Sequence, residues 1–455
     1  MHRTLHQLRA GELTGAKRLD LSAGLTEFPR EILDLADTLE VLNLSGNALS
    51  ALPPDFARLQ KLRILFCSDN QFTRLPEVLG QCPRLSMIGF KANQIAEVPA
   101  VALGPSLRWL ILTGNQISEL PSSIGQCRQL QKCMLAGNRL SSLPMAMAAC
   151  TQLELLRISA NQFAALPSFL TSLPRLSWLA YAGNPFCLEQ ETQALTAHAS
   201  EQVDWTHLQL QQKLGEGASG LIYQASYWPQ TEHGVCHIEP GTHAEAVAVK
   251  VFKGAMTSDG TPDSEIAACL AAGQHAQLIP VHGTVANHPD GLHGMVMALI
   301  DPCFHNLAGP PSWDSCTRDV YASNQRFSLK TIISMACQMA AVTAHLHAQG
   351  IMHGDLYAHN TLKTHAGECL LGDFGAASFL PVDKQATEAL QRIEVRAYGC
   401  LLEELLTHCE PDEQQHEAFH ALKQLMTHCL QPELMGRPLM VDVAAVINHI
   451  QPTLP

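Results

Sequence analysis

The chain has 455 residues, which at about 100–200 residues per domain means two to four domains. Hydrophobic residues make up 46% and charged residues 16%, a balance that excludes a disordered chain or a coiled-coil rod. The net charge of −13 is uneven: residues 1–200 carry 17 Lys/Arg against 15 Asp/Glu (+2), and residues 201–455 carry 12 against 27 (−15). A phosphate backbone would be repelled by the second half and finds no basic stripe in the first, so nucleic acid is excluded as a partner. The 15 cysteines are odd in number and contain no Cys-x-x-Cys pair, which fits reduced thiols better than a secreted disulfide framework. Met1 to Leu25 is charged throughout and does not read as a signal peptide. The most apolar stretch, Thr331 to His347, is broken at helical spacing by Ser334, Gln338, Thr343 and His345, so no membrane span is expected. A cytoplasmic protein is the expectation.

Asn47, Asn70, Asn93, Asn115, Asn138, Asn161 and Asn184 fall at intervals of 23, 23, 22, 23, 23 and 23. Each closes a segment of the form L-x-x-L-x-L-x-x-N, with occasional substitutions, as in Leu39 to Asn47 and Leu107 to Asn115, and an apolar–Pro pair follows, such as Leu52-Pro53 or Leu143-Pro144. This pattern, over Ala16 to Cys187, resembles the short intracellular type of leucine-rich repeat. A single unit cannot bury its own leucines, so stacked units must share a continuous interior in a solenoid. The recurrent Asn suits backbone groups left over where a strand bends into a loop. The family's horseshoe would line its concave sheet with the x positions, here Ile64, Phe66, Met87, Trp109, Ile111, Met134, Leu155 and Trp178. An apolar stripe of this length implies a covered surface, with a protein substrate or regulator as the first candidate and packing within the chain as the second.

The leucine period stops near Leu188, and the polar stretch from Glu189 to Gln202 reads as a linker with room for one short helix (188–204). Gly215-Glu216-Gly217-Ala218-Ser219-Gly220 then lies between two strand-like segments, His207 to Leu214 and Leu221 to Ser226. A glycine-rich hairpin of this kind lets backbone amides approach phosphates. Ala246 to Phe252 is an apolar strand interrupted by Lys250, and a buried lysine needs a counter-charge. Between Val251 and Gly294 the one glutamate is Glu265, on the helix-like Ser264 to Ala272. Further on, Asp355 and Asn360 sit five apart on a loop after a long helix, and Asp373-Phe374-Gly375 follows the strand-like Cys369 to Leu371. Oxygen-bearing side chains of this kind suit a hard cation such as magnesium.

Five ordered motifs at these spacings resemble the eukaryotic-like protein kinase family over Trp205 to His449. The fold implied is a repeat solenoid (residues 1–187) followed by a bilobal kinase-like domain (205–455), with the smaller lobe at about 205–300 and the larger at about 301–455. The resemblance implies ATP and Mg²⁺ as cofactors. Gly215, Gly217 and Gly220 would cover the phosphates, Ile222, Ala248, Met297 and Leu299 would line the nucleotide pocket, and Lys250 would hold the phosphates while paired with Glu265. Asp355 would be the base, with Asn360 and Asp373 holding the metal. Cys429 to Pro438, ending Gly436-Arg437-Pro438, resembles the family's C-terminal helix signature.

The departures are as informative. Gly354 stands where the family has an arginine, so activity is expected not to depend on a phosphorylated activation loop. Tyr357 replaces the usual lysine and reads equally as a core aromatic or a functional change. Ala-Pro-Glu is missing, Asp383 to Arg392 reads as a helix instead, and Arg437 has lost its expected glutamate partner. Small-molecule phosphotransferases of the aminoglycoside- and choline-kinase type share the His-Gly-Asp loop but seldom Asp-Phe-Gly or the Val-Ala-Val-Lys strand. A catalytically dead scaffold has no reason to retain Lys250, Glu265, Asp355, Asn360 and Asp373 together. The histidine groups His233, His237 and His243, or His282, His288 and His293, lack metal-ligand spacing and read as loop residues. The sequence therefore points to a protein kinase, with serine/threonine hydroxyls as the default acceptors and the repeats selecting a protein partner.

Overall fold

The repeat spacing has a physical consequence: each unit exposes leucines that only a neighbouring unit can cover. The structure is a computed structural model that describes residues 2–217, 219–228, 244–254, 256–257 and 259–450; Ala218 of the glycine run and His233, His237 and His243 lie outside the described residues. The chain forms two compact units, one of Met1–Leu176 with Asn184–Phe186 and one of Ser177–Gly183 with Cys187–Pro455.

In the first unit a helix, α1 (His2–Arg9), precedes seven three-residue strands: β1 (Arg18–Asp20), β2 (Val41–Asn43), β3 (Ile64–Phe66), β4 (Met87–Gly89), β5 (Trp109–Ile111), β6 (Lys132–Met134) and β7 (Leu155–Arg157). Each pairs in parallel with the next, so the central residues Leu19, Leu42, Leu65, Ile88, Leu110, Cys133 and Leu156 align in one buried row. The asparagines end the strands. Asn138 Nδ2 donates to the Leu135 carbonyl at 2.9 Å and to the Leu112 carbonyl of the preceding repeat at 3.0 Å, while its Oδ1 accepts from Ile117 N–H at 3.0 Å. Asn93, Asn115 and Asn161 repeat the pattern. A side chain that both donates and accepts is needed for this, and an amide supplies both. Pro53, Pro76, Pro121 and Pro144 then turn the chain into short 3₁₀ helices, because the ring presets φ near the value such turns require. Those turns bury Phe56, Leu79, Ile124 and Met147. This is the leucine-rich repeat solenoid that the sequence implies.

The second unit begins with β8 (Trp178–Ala180), α2 (Leu188–Ala197) and β9 (Gln202–Asp204). The polar stretch read as a linker is thus folded: Leu195 of α2 packs against the cluster of Phe252, Ile266, Leu270 and Met295. A six-stranded sheet follows, with β10 (Leu208–Glu216), β11 (Gly220–Tyr227), β12 (Glu245–Phe252), β13 (Val281–Ala286) and β14 (Gly294–Ala298) in the order β10-β11-β12-β14-β13-β9, and α3 (Pro262–Ala271) between β12 and β13. Val247, Val249, Val251 and Val296 form its core. The remainder is mainly helical: β15 (His305–Asn306), α4 (Leu329–Ala348), β16 (Ile351–Met352), β17 (Thr361–Lys363), β18 (Cys369–Leu371), β19 (Ser378–Phe379), α5 (Lys384–Thr407), α6 (Glu417–Cys429) and α7 (Met440–Ile450). The helix expected at Asp383 to Arg392 runs on to Thr407 as α5, capped by the Asp383 side chain on Ala386 N–H. Among the described residues no helix is long and apolar enough to cross a membrane.

The asparagine ladder generates a stability test. Asn138→Ala removes the acceptor of the buried Ile117 N–H and one of the two amide donors to each of the Leu112 and Leu135 carbonyls, which keep Asn115 and Asn161; a buried group left unsatisfied costs about 1–3 kcal/mol. Urea unfolding is expected to show a loss of about 3 kcal/mol, whereas Arg139→Ala on the exposed neighbour stays within about 0.5 kcal/mol.

Candidate active site

Lys250 projects from the valine-rich β12, and Glu265 from the first turn of α3, whose start is fixed by Thr261 Oγ1 capping Ser264 N–H and by Pro262. The two side chains form an ion pair and are 9% and 2% exposed. Burial works against the Lys250 ammonium, yet Glu265 and then Asp373 more than offset it and hold its pKa above the ordinary value. Burial pushes the Glu265 carboxyl up to about 7, with Lys250 opposing and Asp373 adding to the shift. Asp373 therefore lies within electrostatic reach of both. Gly375 adjoins both carboxylates: a Cβ there would lie 3.2 Å from Asp373 Oδ1 and 3.6 Å from Glu265 Oε2.

A cavity of about 380 Å³ opens beside this pair, lined by Gly217, Gly220, Ile222, Met297, Asp373 and Phe374 as well as Lys250 and Glu265. Gly215, Ala248 and Leu299, also expected at the nucleotide, are not among its lining residues. The glycines differ in purpose. A Cβ at Gly220 would meet the Val251 carbonyl at 2.6 Å, so glycine alone lets β11 start against β12, whereas Gly215 and Gly217 have nothing within 4 Å.

Beneath the cavity, the loop after β16 is held by a residue that the sequence did not single out. Glu394, fully buried on α5, accepts from His353 N–H at 3.2 Å, from Gly354 N–H at 2.6 Å and contacts His347 Nε2 at 2.8 Å. Burial disfavours its charge, but His347, His353 and the Gly354 amide overcome it and hold the carboxyl below its ordinary range. The signal was a lone carboxylate among Ile393, Val395 and Ala397. His353 Nε2 bonds the Gly372 carbonyl at 3.0 Å, and its ring meets Phe374 edge-on at 5.1 Å, which ties this loop to the Asp-Phe-Gly turn. Asn360 Nδ2 donates to Asp355 Oδ2 at 2.8 Å, which directs the amide nitrogen to Asp355 and leaves Oδ1 as the amide's acceptor atom. His359 was also missed. Its Nδ1 contacts Asp319 Oδ1 at 2.7 Å; burial opposes its charge, but Asp319, Asp355 and Asp373 raise its pKa. The His359 ring thus lies within electrostatic reach of both Asp355 and Asp373.

The sequence of the second unit matches a family model described as protein tyrosine and serine/threonine kinase over residues 208–399, and the leucine-rich repeat model matches residues 38–59 and 106–127. The chain carries leucine-rich repeats and a protein kinase domain. It is 28% identical over 192 residues to the serine/threonine-protein kinase mos of Gallus gallus, covering 39% of this chain and 49% of that one. It is 26% identical over 220 residues to fibroblast growth factor receptor 1 of Pleurodeles waltl (43% and 26% covered) and 25% identical over 238 residues to the tyrosine-protein kinase SRK3 of Spongilla lacustris (48% and 63% covered). The chain thus spans less than two thirds of the length of each of these relatives.

The kinase domain's departures now have structural reasons. Gly354 has φ +72°, and a Cβ there would lie 2.5 Å from the Ala376 carbonyl and 2.6 Å from the Leu179 carbonyl, so no arginine fits. Tyr357 is a buried aromatic, stacked on Trp178 with ring centroids 4.3 Å apart. Arg437 donates to the carbonyls of Gln431 at 2.7 Å and Arg392 at 3.2 Å; burial, with Arg396, lowers it to about 10. Trp178 is 1% exposed and bonded within the kinase unit, so it drops out of the apolar stripe expected to meet a partner. Ile64, Met87 and Leu155 are buried as well, which leaves Phe66, Trp109, Ile111 and Met134 half-buried.

Glu394 generates a pH test. A carboxyl with a lowered pKa contributes stability above its unfolded value near 4.5 and loses it as pH falls through the folded value. Glu394→Gln is therefore expected to lower the melting temperature of the kinase domain at pH 7, with the deficit shrinking below pH 4.5; a constant deficit at every pH contradicts the assignment.

Proposed function

We propose that the kinase domain transfers the γ-phosphoryl group of ATP to protein hydroxyls. The observation that carries this is the buried Lys250–Glu265 pair with Asp373 in electrostatic reach, at the wall of a cavity roofed by Gly217 and Gly220. The donor set fits the implied cofactor: an asparagine oxygen and an aspartate carboxylate, Asn360 and Asp373, are hard ligands suited to Mg²⁺, and a fixed ammonium, Lys250, suits phosphate oxygens. Bound Mg-ATP would supply the transferable phosphoryl group and the metal's charge. Lys250 would orient the phosphates, Glu265 would keep Lys250 in place, and Asp355, held by Asn360, would accept the proton of the attacking hydroxyl. Gly215, Ile222, Ala248, Met297 and Leu299 complete the proposed nucleotide contacts, although Gly215, Ala248 and Leu299 stand away from the cavity lining.

Seryl and threonyl hydroxyls are the proposed acceptors. Support comes from the mos similarity, while the receptor and SRK3 similarities carry the tyrosine alternative. The repeats would select the protein substrate or regulator through Phe66, Trp109 and Met134. The match to protein kinases, and the convergence of the charged residues, favour this reading over a small-molecule phosphotransferase or an inert scaffold.

The test is transfer of labelled γ-phosphate from Mg-ATP to the protein itself or to a mixed protein substrate, beside Lys250→Met and Asp355→Asn. Each substitution is expected to lower kcat by at least about 10²-fold, the usual loss when one group stabilising transition-state charge is removed. Equal labelling by wild type and both variants contradicts the assignment.

A further inference from the structure

Ser177–Gly183 carries repeat spacing in the sequence, yet it belongs to the kinase unit and meets the parts of that unit on which phosphoryl transfer depends. The Trp178 indole lies flat on the Tyr357 ring, 7° from parallel, and its Nε1–H donates to the Leu356 carbonyl at 3.0 Å, one residue past Asp355. The Leu179 carbonyl closes over Gly354 on the other side of Asp355. The N–H groups of Tyr181 and Ala182 both donate to Ser378 Oγ at 3.1 Å, and the Tyr181 hydroxyl donates to the Phe379 carbonyl at 3.0 Å. Helix α2 continues the contact. Gln190 Nε2 donates to the Leu380 carbonyl at 3.0 Å, and the buried Glu191 accepts from Gly183 N–H at 2.8 Å and from the Ser264 hydroxyl at 3.1 Å, next to Glu265.

A kinase must place three elements before it can transfer a phosphoryl group: the loop of its base, the segment after Asp-Phe-Gly and the helix of the lysine's glutamate. Activation segments are commonly ordered by phosphorylation through new arginine–phosphate pairs. Here the arginine position is closed, because Gly354 is covered by two carbonyl oxygens, and only Ala376 to Asp383 separates Gly375 from α5. Ser177–Gly183 and helix α2 of the same unit reach all three elements instead.

We propose that Ser177–Gly183 and helix α2 form a built-in brace that holds the Asp355 loop, the segment after Asp-Phe-Gly and the Glu265 helix in their working arrangement, with Trp178 and Tyr181 as positioning residues. The proposal rests on the phosphotransfer reading of the cavity. Trp178 and Tyr357 act as one unit: either ring alone leaves the other without its stacking surface, so removing both costs no more than removing one.

The experiment uses the full chain with Trp178→Ala, Tyr357→Ala, the double variant, Trp178→Phe and Tyr181→Phe, reading kcat, KM for ATP, and amide hydrogen exchange over residues 353–360. Trp178→Ala and Tyr357→Ala are each expected to lower kcat tenfold or more with KM for ATP within threefold. The double variant is expected to match the worse single variant, exchange over 353–360 to quicken, and Trp178→Phe, which keeps a ring on Tyr357, to retain at least a third of kcat. A kcat within twofold of wild type for Trp178→Ala, multiplying losses in the double variant, or a loss carried by KM for ATP overturns the brace. Should Trp178→Ala fail to fold, Tyr181→Phe decides: it deletes one hydroxyl, and a kcat indistinguishable from wild type overturns the proposal while a threefold or greater fall upholds it. A wild type that transfers no phosphoryl group overturns the phosphotransfer reading itself, a distinct result.

Discussion

The structure of the second unit depends on keeping a lysine ammonium charged inside an apolar sheet. Lys250 sits among valines that would expel it, and Glu265 offsets the loss of water only while α3 is held against β12. That single electrostatic requirement fixes the helix relative to the sheet, and it fixes where Asp373 must sit for its charge to count. The other polar contacts near the cavity read as consequences: Gly375 allows the close approach, and Thr261 and Pro262 set where the helix begins.

The loop of Asp355 is held on the same principle from below. Glu394 is a buried carboxylate satisfied by two amides and an imidazole, and it stays ionised because those partners outweigh burial. The lower half of the site therefore hangs from α5, whereas the upper half hangs from β12 and α3. His353 joins the halves through the Gly372 carbonyl and the Phe374 ring. The solenoid applies the same accounting to backbone groups, each asparagine satisfying the bends of two successive repeats.

The repeats were legible in the sequence because their constraint recurs: an amide needed every 23 residues or so leaves a visible ladder. Lys250, Glu265, Asp355, Asn360 and Asp373 were legible because their types and order are restrictive, and the single glutamate after β12 singled out its own partner. Other features were hidden by distance along the chain. Trp178 satisfies the repeat pattern locally, while its hydrogen-bond partner, Leu356, lies 178 residues away, so nothing near it in sequence announces the contact. Tyr357 was ambiguous for the same reason. Helix α2 looked like a linker because its one deeply buried polar residue, Glu191, is satisfied by Gly183 and by the distant Ser264 rather than by apolar neighbours in sequence. Glu394 and His359 take their roles from partners on other elements, His347 and Asp319, which no local motif encodes.

The claim beneath the whole account is that the buried ammonium of Lys250 and the carboxylate of Asp373 face a shared nucleotide. Calorimetric titration of the full chain with ATP and Mg²⁺ tests it most directly. One nucleotide should bind per chain, with affinity weakened tenfold or more both by Lys250→Met and by withholding the metal. Absence of heat at any nucleotide concentration, or binding indifferent to both changes, would contradict it.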